Sequence, residues 1–206
     1  MSVSIVIVGI NQWEEYTRPL IAGIWAHEPD VDICVIDNAS EEPYPEAQHI
    51  HRVNTRLSYA AAINKGVYST TGDWILSLNN DIRCNGPFVK VIESLADDSI
   101  YGRQIIEEAG HVWLGNWLAL IPRMVYWQVG EFDPKFEACG FEDADYCVRA
   151  KALGIDTKPV NLPFTHLWGK TRWAIPGYEK TREKNIDYFE QKHGYRLGTN
   201  MTVTHD

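Results

Sequence analysis

The feature that most constrains this chain is a pair of short β-branched runs, Val3–Val8 and Val31–Ile36, whose apolar residues follow one another instead of alternating with polar ones. Consecutive apolar positions mark a parallel strand covered on both faces. Between the two runs, Tyr16, Leu20, Ile21, Ile24 and Trp25 recur at helical spacing, which predicts a β-α-β unit. His49–Val53 reads as a third strand, Ser58–Ser69 as a helix and Trp74–Leu78 as a fourth strand. The first 80 or so residues therefore alternate in the manner of an open α/β sheet.

The pattern changes after the polar turn Asn79-Asn80-Asp81. Gly86-Pro87 opens a helix that runs to about Leu95, with the proline where its missing N–H does no harm. Ile105–Ala109 and Val112–Leu120 read as antiparallel or mixed strands and Pro122–Gln128 as a short helix. Glu142–Leu153 and Tyr178–His193 read as helices stopped by Gly154 and Gly194. The expected fold class is α/β, a mostly parallel central sheet flanked by helices with a smaller antiparallel or mixed region. At 206 residues and 45% hydrophobic, the chain supports one core and hence one domain over 1–206.

Composition narrows the partners. The net charge of −9 argues against nucleic acid, whose binding rests on basic surface. The acidity is uneven. Residues 1–100 hold 6 basic and 14 acidic side chains, while Lys158–Arg196 holds 8 basic and 4 acidic, so the tail suits a phosphate-bearing ligand or is a solvated helix face. No apolar run approaches the ~20 residues of a membrane span, and Met1-Ser2-Val3-Ser4 lacks the features of a secretory signal. A cytoplasmic location is expected. The four cysteines lack paired metal-site spacing and read as free thiols of a reduced compartment.

In an open α/β sheet, ligands bind outside the carboxyl ends of the strands. The residues there are Gly9-Ile10-Asn11, Asp37-Asn38-Ala39-Ser40, Asn54-Thr55-Arg56 and Asn79-Asn80-Asp81. Asp37 can accept from a base or a ribose, or simply form an Asx turn; Arg56 offers a planar fork to a base or diphosphate. Neither G-x-x-x-x-G-K-[ST] nor G-x-G-x-x-G follows the first strand. Without those backbone cradles a diphosphate needs a cation, and Asp81 is placed to hold one.

The ordered motifs resemble the family 2 glycosyltransferases of the GT-A fold, the nucleotide-diphospho-sugar transferase fold, especially small bacterial and viral members of rhamnosyltransferase type. The resemblance rests on Val3–Val8, Val35-Ile36-Asp37-Asn38-Ala39-Ser40, Ser58–Gly66, Gly72–Asp81, Val129–Asp133, Gly140–Ala150 and His166–Thr171, spanning about residues 3–172. It implies a nucleotide half over about 1–82 and an acceptor half and tail over about 83–206. On the nucleotide side it implies Ile10, Asp37, Tyr59, Asn64, Asn79 and Asn80, with Arg56 read as a replacement contact to base or diphosphate. It implies Asp81 and His166 as ligands of Mn²⁺ or Mg²⁺, with the imidazole favouring manganese. Asn79 stands where the family's metal motif has its first aspartate, and Arg56 and Ser58 stand where many relatives have Asn and Gly.

For the chemistry, the resemblance implies Glu142-Asp143 as the acidic pair, with Asp143 the general base. From the residues themselves, Glu142, Asp143 and Asp145 open a helix whose dipole favours carboxylates, and Asp145 pairs with Arg149 at i,i+4 as a structural contact. Eight tryptophans are present; Asn116, Trp117 and Trp168 are expected along the acceptor or sugar wall, where indoles pack on sugar C–H faces. Trp13, Trp25 and Trp74 are expected to serve packing. The implied activity is hexosyl transfer from a UDP- or dTDP-sugar to a glycan hydroxyl with inversion. The competing readings are a nucleotidyltransferase, which would usually carry a Gly-rich loop after its first strand, and a non-catalytic carbohydrate- or nucleotide-binding module.

Overall fold

The computed structural model describes residues 1–95, 98–108, 110–115, 117–167, 177–198 and the backbone of 202–204. In chain order its strands are β1 (Val3–Gly9), β2 (Asp32–Asn38), β3 (Ile50–Val53), β4 (Trp74–Asn79), β5 (Ile82–Cys84), β6 (Ile100–Gly102), β7 (Ile105–Glu108), β8 (His111–Leu114), β9 (Leu118–Pro122), β10 (Thr157–Pro159), β11 (Phe164–His166) and β12 (Thr202–Thr204). Its helices are α1 (Arg18–His27), α2 (Tyr59–Tyr68), α3 (Val89–Glu93), α4 (Arg123–Val129), α5 (Glu142–Ala152) and α6 (Tyr178–His193). A π-helical turn, Trp13–Thr17, leads into α1.

Among the described residues, seven strands form one sheet in the order β10-β6-β9-β4-β1-β2-β3. β4, β1, β2 and β3 are parallel neighbours, β9 runs antiparallel to both β4 and β6, and β10 is parallel to β6. The consecutive apolar pattern of β1 has the expected cause, since all seven of its residues are buried. Alternate side chains divide between two cores. Val6 and Val8, with Ile36 and Ile75, face Ile63 and Val67 of α2; Ile5 and Ile7, with Val35 and Leu76, face Leu20 and Ile24 of α1. Each such aliphatic side chain contributes about 1.5–3 kcal/mol on burial. The approach of α2 to β1 is close enough that a Cβ on Gly66 would collide with the Val6 side chain.

The α/β class and the first four strands agree with expectation, and α6 has the predicted limits. Four differences are physical. The segment read as Val112–Leu120 is two strands of different sheets, because β8 joins β7 and β12 in a three-stranded antiparallel sheet while β9 enters the main sheet. The helix expected from Pro87 to Leu95 shrinks to the five residues of α3, whose first free N–H groups, on Phe88 and Val89, donate to the Glu28 carboxylate at 2.8 and 2.9 Å. The helix expected from Tyr16 to Trp25 starts with a π turn entered through Asn11 and Gln12, both at φ 53°. Periodicity predicts none of β5, β6, β10 and β11, each three residues long and defined by its neighbours. All four cysteines are free. No described helix is long and apolar enough to cross a membrane.

Candidate active site

The carboxyl ends of β1, β2 and β4 converge as the topology requires, and each presents polar residues. At the end of β2, Asp37 is fully buried. Its oxygens accept from Ser40 N at 3.0 Å, Tyr44 N at 3.1 Å and the Arg52 guanidinium at 2.7 Å. Burial works to raise its pKa, but the hydrogen bonds from Ser40, Tyr44 and Arg52 outweigh it and hold the carboxyl below its ordinary range. Arg52 also donates to Ser40 O at 2.9 Å. The arginine beside Asp37 is thus Arg52, which the sequence reading passed over; Arg56 is exposed on the following loop. The signal for Arg52 was the parallel register, which sets it opposite Asp37.

The β1 exit is held from below. Tyr44 OH donates to Asn11 O at 2.7 Å and lies 3.1 Å from Thr17 Oγ1, which also accepts from Asn80 Nδ2 at 3.1 Å. Gly9 is required here, since a Cβ would meet the Tyr44 hydroxyl at 2.5 Å. Asn80 is therefore buried beneath the loop, while Ile10 is partly exposed at its start. Asn64 corrects an expectation. Its Oδ1 accepts from Tyr126 OH and Phe132 N, both at 3.0 Å, and its Nδ2 donates to Phe132 O at 2.7 Å and Glu131 at 3.4 Å. Every hydrogen-bonding valence of the amide is filled by the fold, leaving none for a nucleotide.

β4 ends at Asn79, whose Oδ1 accepts from the Tyr59 hydroxyl at 2.7 Å and whose N–H donates to Trp117 O at 3.1 Å. Burial first, and then the Glu142 carboxylate, push the Tyr59 phenol well above its ordinary value, so it keeps its proton and donates a hydrogen bond. Two residues on, Asp81 is fully buried, and its Oδ1 lies 3.3 Å from His166 Nε2. The pairing of β5 with β11 brings His166 there, and Leu167 N–H donates to Asp81 O at 2.9 Å. Trp117 stacks on the His166 ring, with centroids 5.0 Å apart and planes 2° from parallel. Asn116 and Trp168 lie outside the described residues.

The acidic pair opens α5 behind an irregular loop in which Ala138, Gly140 and Phe141 have φ of 49, 104 and 72°. Such backbone in non-glycine residues is strained and persists only where surroundings enforce it. Tyr59 N–H donates to Ala138 O at 2.6 Å, and Asn185 Nδ2 donates to Glu137 O and Gly140 O, both at 2.9 Å. Glu142 is buried and accepts from Gly140 N. Asp143 is partly exposed and accepts from Ala144 N at 2.9 Å. Asp145 is structural as read. It binds Arg149 at 2.9 Å and, beyond that reading, Lys192 at 2.6 Å and His193 at 2.9 Å, which ties α5 to α6.

Asp81 and His166 fit a divalent cation by their chemistry, a carboxylate oxygen and an imidazole nitrogen close together in the interior. No group of three or more His, Cys, Asp or Glu suited to a metal occurs among the described residues.

The sequence model of the family described as glycosyl transferase family 2 matches residues 4–118, more than half of the chain. The chain belongs to glycosyl transferase family 2. This family 2 chain also resembles solved structures in fold. Mannosyltransferase PcManGT from Pyrobaculum calidifontis, in complex with GDP-Man and Mn²⁺, superposes with a TM-score of 0.69 at 14% identity, covering 96% of this chain and 65% of that one. GalNAc-T7 with UDP, GalNAc and Mn²⁺ gives 0.69 at 13% identity, covering 97% of this chain and 52% of that one. The catalytic domain of Drosophila β1,4-galactosyltransferase 7 with xylobiose gives 0.59 at 14% identity, covering 89% and 80%. The family 2 chain has their GT-A fold, and it spans 65% of the length of the mannosyltransferase and about half that of GalNAc-T7. No curated protein matches it in sequence.

Proposed function

We propose that this chain transfers a sugar from a nucleoside diphosphate, of UDP or dTDP type, to a carbohydrate hydroxyl, with inversion and with a divalent cation, Mn²⁺ or Mg²⁺. The observation that carries the reading is the buried Asp81–His166 pair, 3.3 Å apart beyond the carboxyl end of β4, in a family 2 chain. Asp81 and His166 would hold the cation, which when bound supplies Lewis-acid stabilisation to the charge of the departing diphosphate. Related folds solved with GDP-Man and Mn²⁺ or with UDP and Mn²⁺ support that choice of ligands.

The chain's own residues supply the rest. The Asp37–Arg52–Ser40 cluster and the loop from Gly9 to Gln12, held by Tyr44, form the floor on which a nucleoside would lie. Trp117, fixed by its stack on His166, offers an indole face to a sugar. Asp143 is the more exposed of the acidic pair and lies in the first turn of α5, where the helix dipole favours its ionised form; it would take the proton from the attacking hydroxyl. Glu142, buried on Gly140 N, would hold the strained loop in place.

The test is a nucleotide-sugar panel scored for nucleoside diphosphate release with Mn²⁺, Mg²⁺ or chelator. The expected result is release from a UDP- or dTDP-sugar that chelation abolishes. Ligand affinity indifferent to metal, with no release from any donor, would instead identify a binding module.

A further inference from the structure

The side chain of Asn79 belongs to the same face of β4 as Ile75 and Ser77, the face covered by α2. On a strand, residues two apart share a face, so this places Asn79 over the first turn of α2, where Tyr59 stands. The phenol donates to Asn79 Oδ1 at 2.7 Å. A carboxamide whose oxygen is taken in this way has its orientation fixed, and its two N–H protons point the other way. Among the described residues no acceptor takes those Nδ2 protons, and Asn79 is partly exposed. Asp81, the cation-side carboxylate, is two residues further along the chain. Tyr59 is itself held from both ends, since its backbone N–H donates to Ala138 O at 2.6 Å.

We propose that Tyr59 is a positioning residue that commits Asn79 to present Nδ2, a neutral hydrogen-bond donor, to an acceptor oxygen of the nucleotide-sugar's diphosphate. This rests on the nucleotide-sugar reading above. An aspartate at the same place would bring a second carboxylate toward the cation and the phosphates. Asparagine brings a donor, so ligand oxygens are recognised by hydrogen bonding at Asn79 and through the cation that Asp81 would hold. In this role the phenol acts through the amide.

The experiment is a double-mutant cycle on equilibrium binding, by calorimetric titration of UDP, dTDP and GDP in Mn²⁺, using the full chain. Asn79→Ala is expected to weaken the best diphosphate on the order of 10-fold, as for loss of one hydrogen bond to a charged partner. Tyr59→Phe should weaken it by a similar or slightly smaller factor, and the double variant should bind no more weakly than Asn79→Ala. Parental affinity in Tyr59→Phe, or a double variant whose loss is the product of the single losses, overturns the proposal. Should Tyr59→Phe fail to fold, Asn79→Asp decides: it keeps an acceptor for the phenol and loses the donor, so it should bind diphosphate on the order of 10-fold more weakly in chelator, and equal affinity there overturns the proposal. A parent that binds diphosphate but releases none from any sugar donor defeats the transfer reading and leaves the cycle to decide on Tyr59. A parent that transfers sugar while the cycle is multiplicative defeats the Tyr59 assignment alone.

Discussion

At Asp143 a single oxygen separates two behaviours. Asp143→Asn keeps the shape and the hydrogen bond from Ala144 N but cannot take a proton. Nucleoside diphosphate binding should be unchanged while the transfer rate falls on the order of 10² or more; transfer at the parental rate would move the base to Glu142. Arg52 is a second residue with a measurable consequence. Asp37 titrates in the folded chain below the unfolded value of about 3.9, so the stability it contributes is complete above that pH and is lost as the pH falls through the lower folded value. Arg52→Met removes one of its donors. The acid-unfolding midpoint should move to higher pH, with a loss at neutral pH of about 1–2 kcal/mol, discounted because the guanidinium is 36% exposed. An unmoved midpoint in acid titration followed by circular dichroism would mean that Ser40 and Tyr44 hold Asp37 without it.

At the scale of elements, the site was legible wherever a strand end announced it. Asp81 is read from the end of β4 and His166 only from the family resemblance, and the structure sets them 3.3 Å apart. What brings them together is β5 with β11, two three-residue strands that carry no periodicity because each is defined only by the other. Arg52 escaped for a related reason: on an edge strand a charged residue reads as solvated, and only the register against β2 turns it toward Asp37. Asn64 misled in the opposite direction, since an amide in a motif looks like a ligand contact until its partners are known. They are Tyr126 of α4 and the Glu131–Phe132 turn, so the amide fastens α2 to the segment between α4 and α5. Asn64→Ala should lose about 2–3 kcal/mol by leaving buried partners unsatisfied, with the midpoint of urea unfolding as the measure and the diphosphate Kd of the folded fraction unchanged. A raised Kd at unchanged stability would return Asn64 to the ligand side.

Across the whole molecule, the two halves of the chain meet through β9. It enters the sheet antiparallel beside β4, so that its first turn, at Trp117, lies against the exit of β4 at Asn79. The acidic pair is joined to the same place through Tyr59 and Ala138, and His166 through the Asp81–Leu167 bond. These three contacts each close a long loop of chain, the kind of pairing that forms late because its entropy must be met before it is rewarded. In refolding from denaturant, helical ellipticity should return before Mn²⁺-dependent diphosphate binding does; simultaneous return in stopped-flow traces would contradict this. The antiparallel seat of β9 consequently makes ligand binding a readout of completed assembly: a chain that has collapsed without that strand lacks the Trp117–Asn79 contact and is expected to bind no diphosphate.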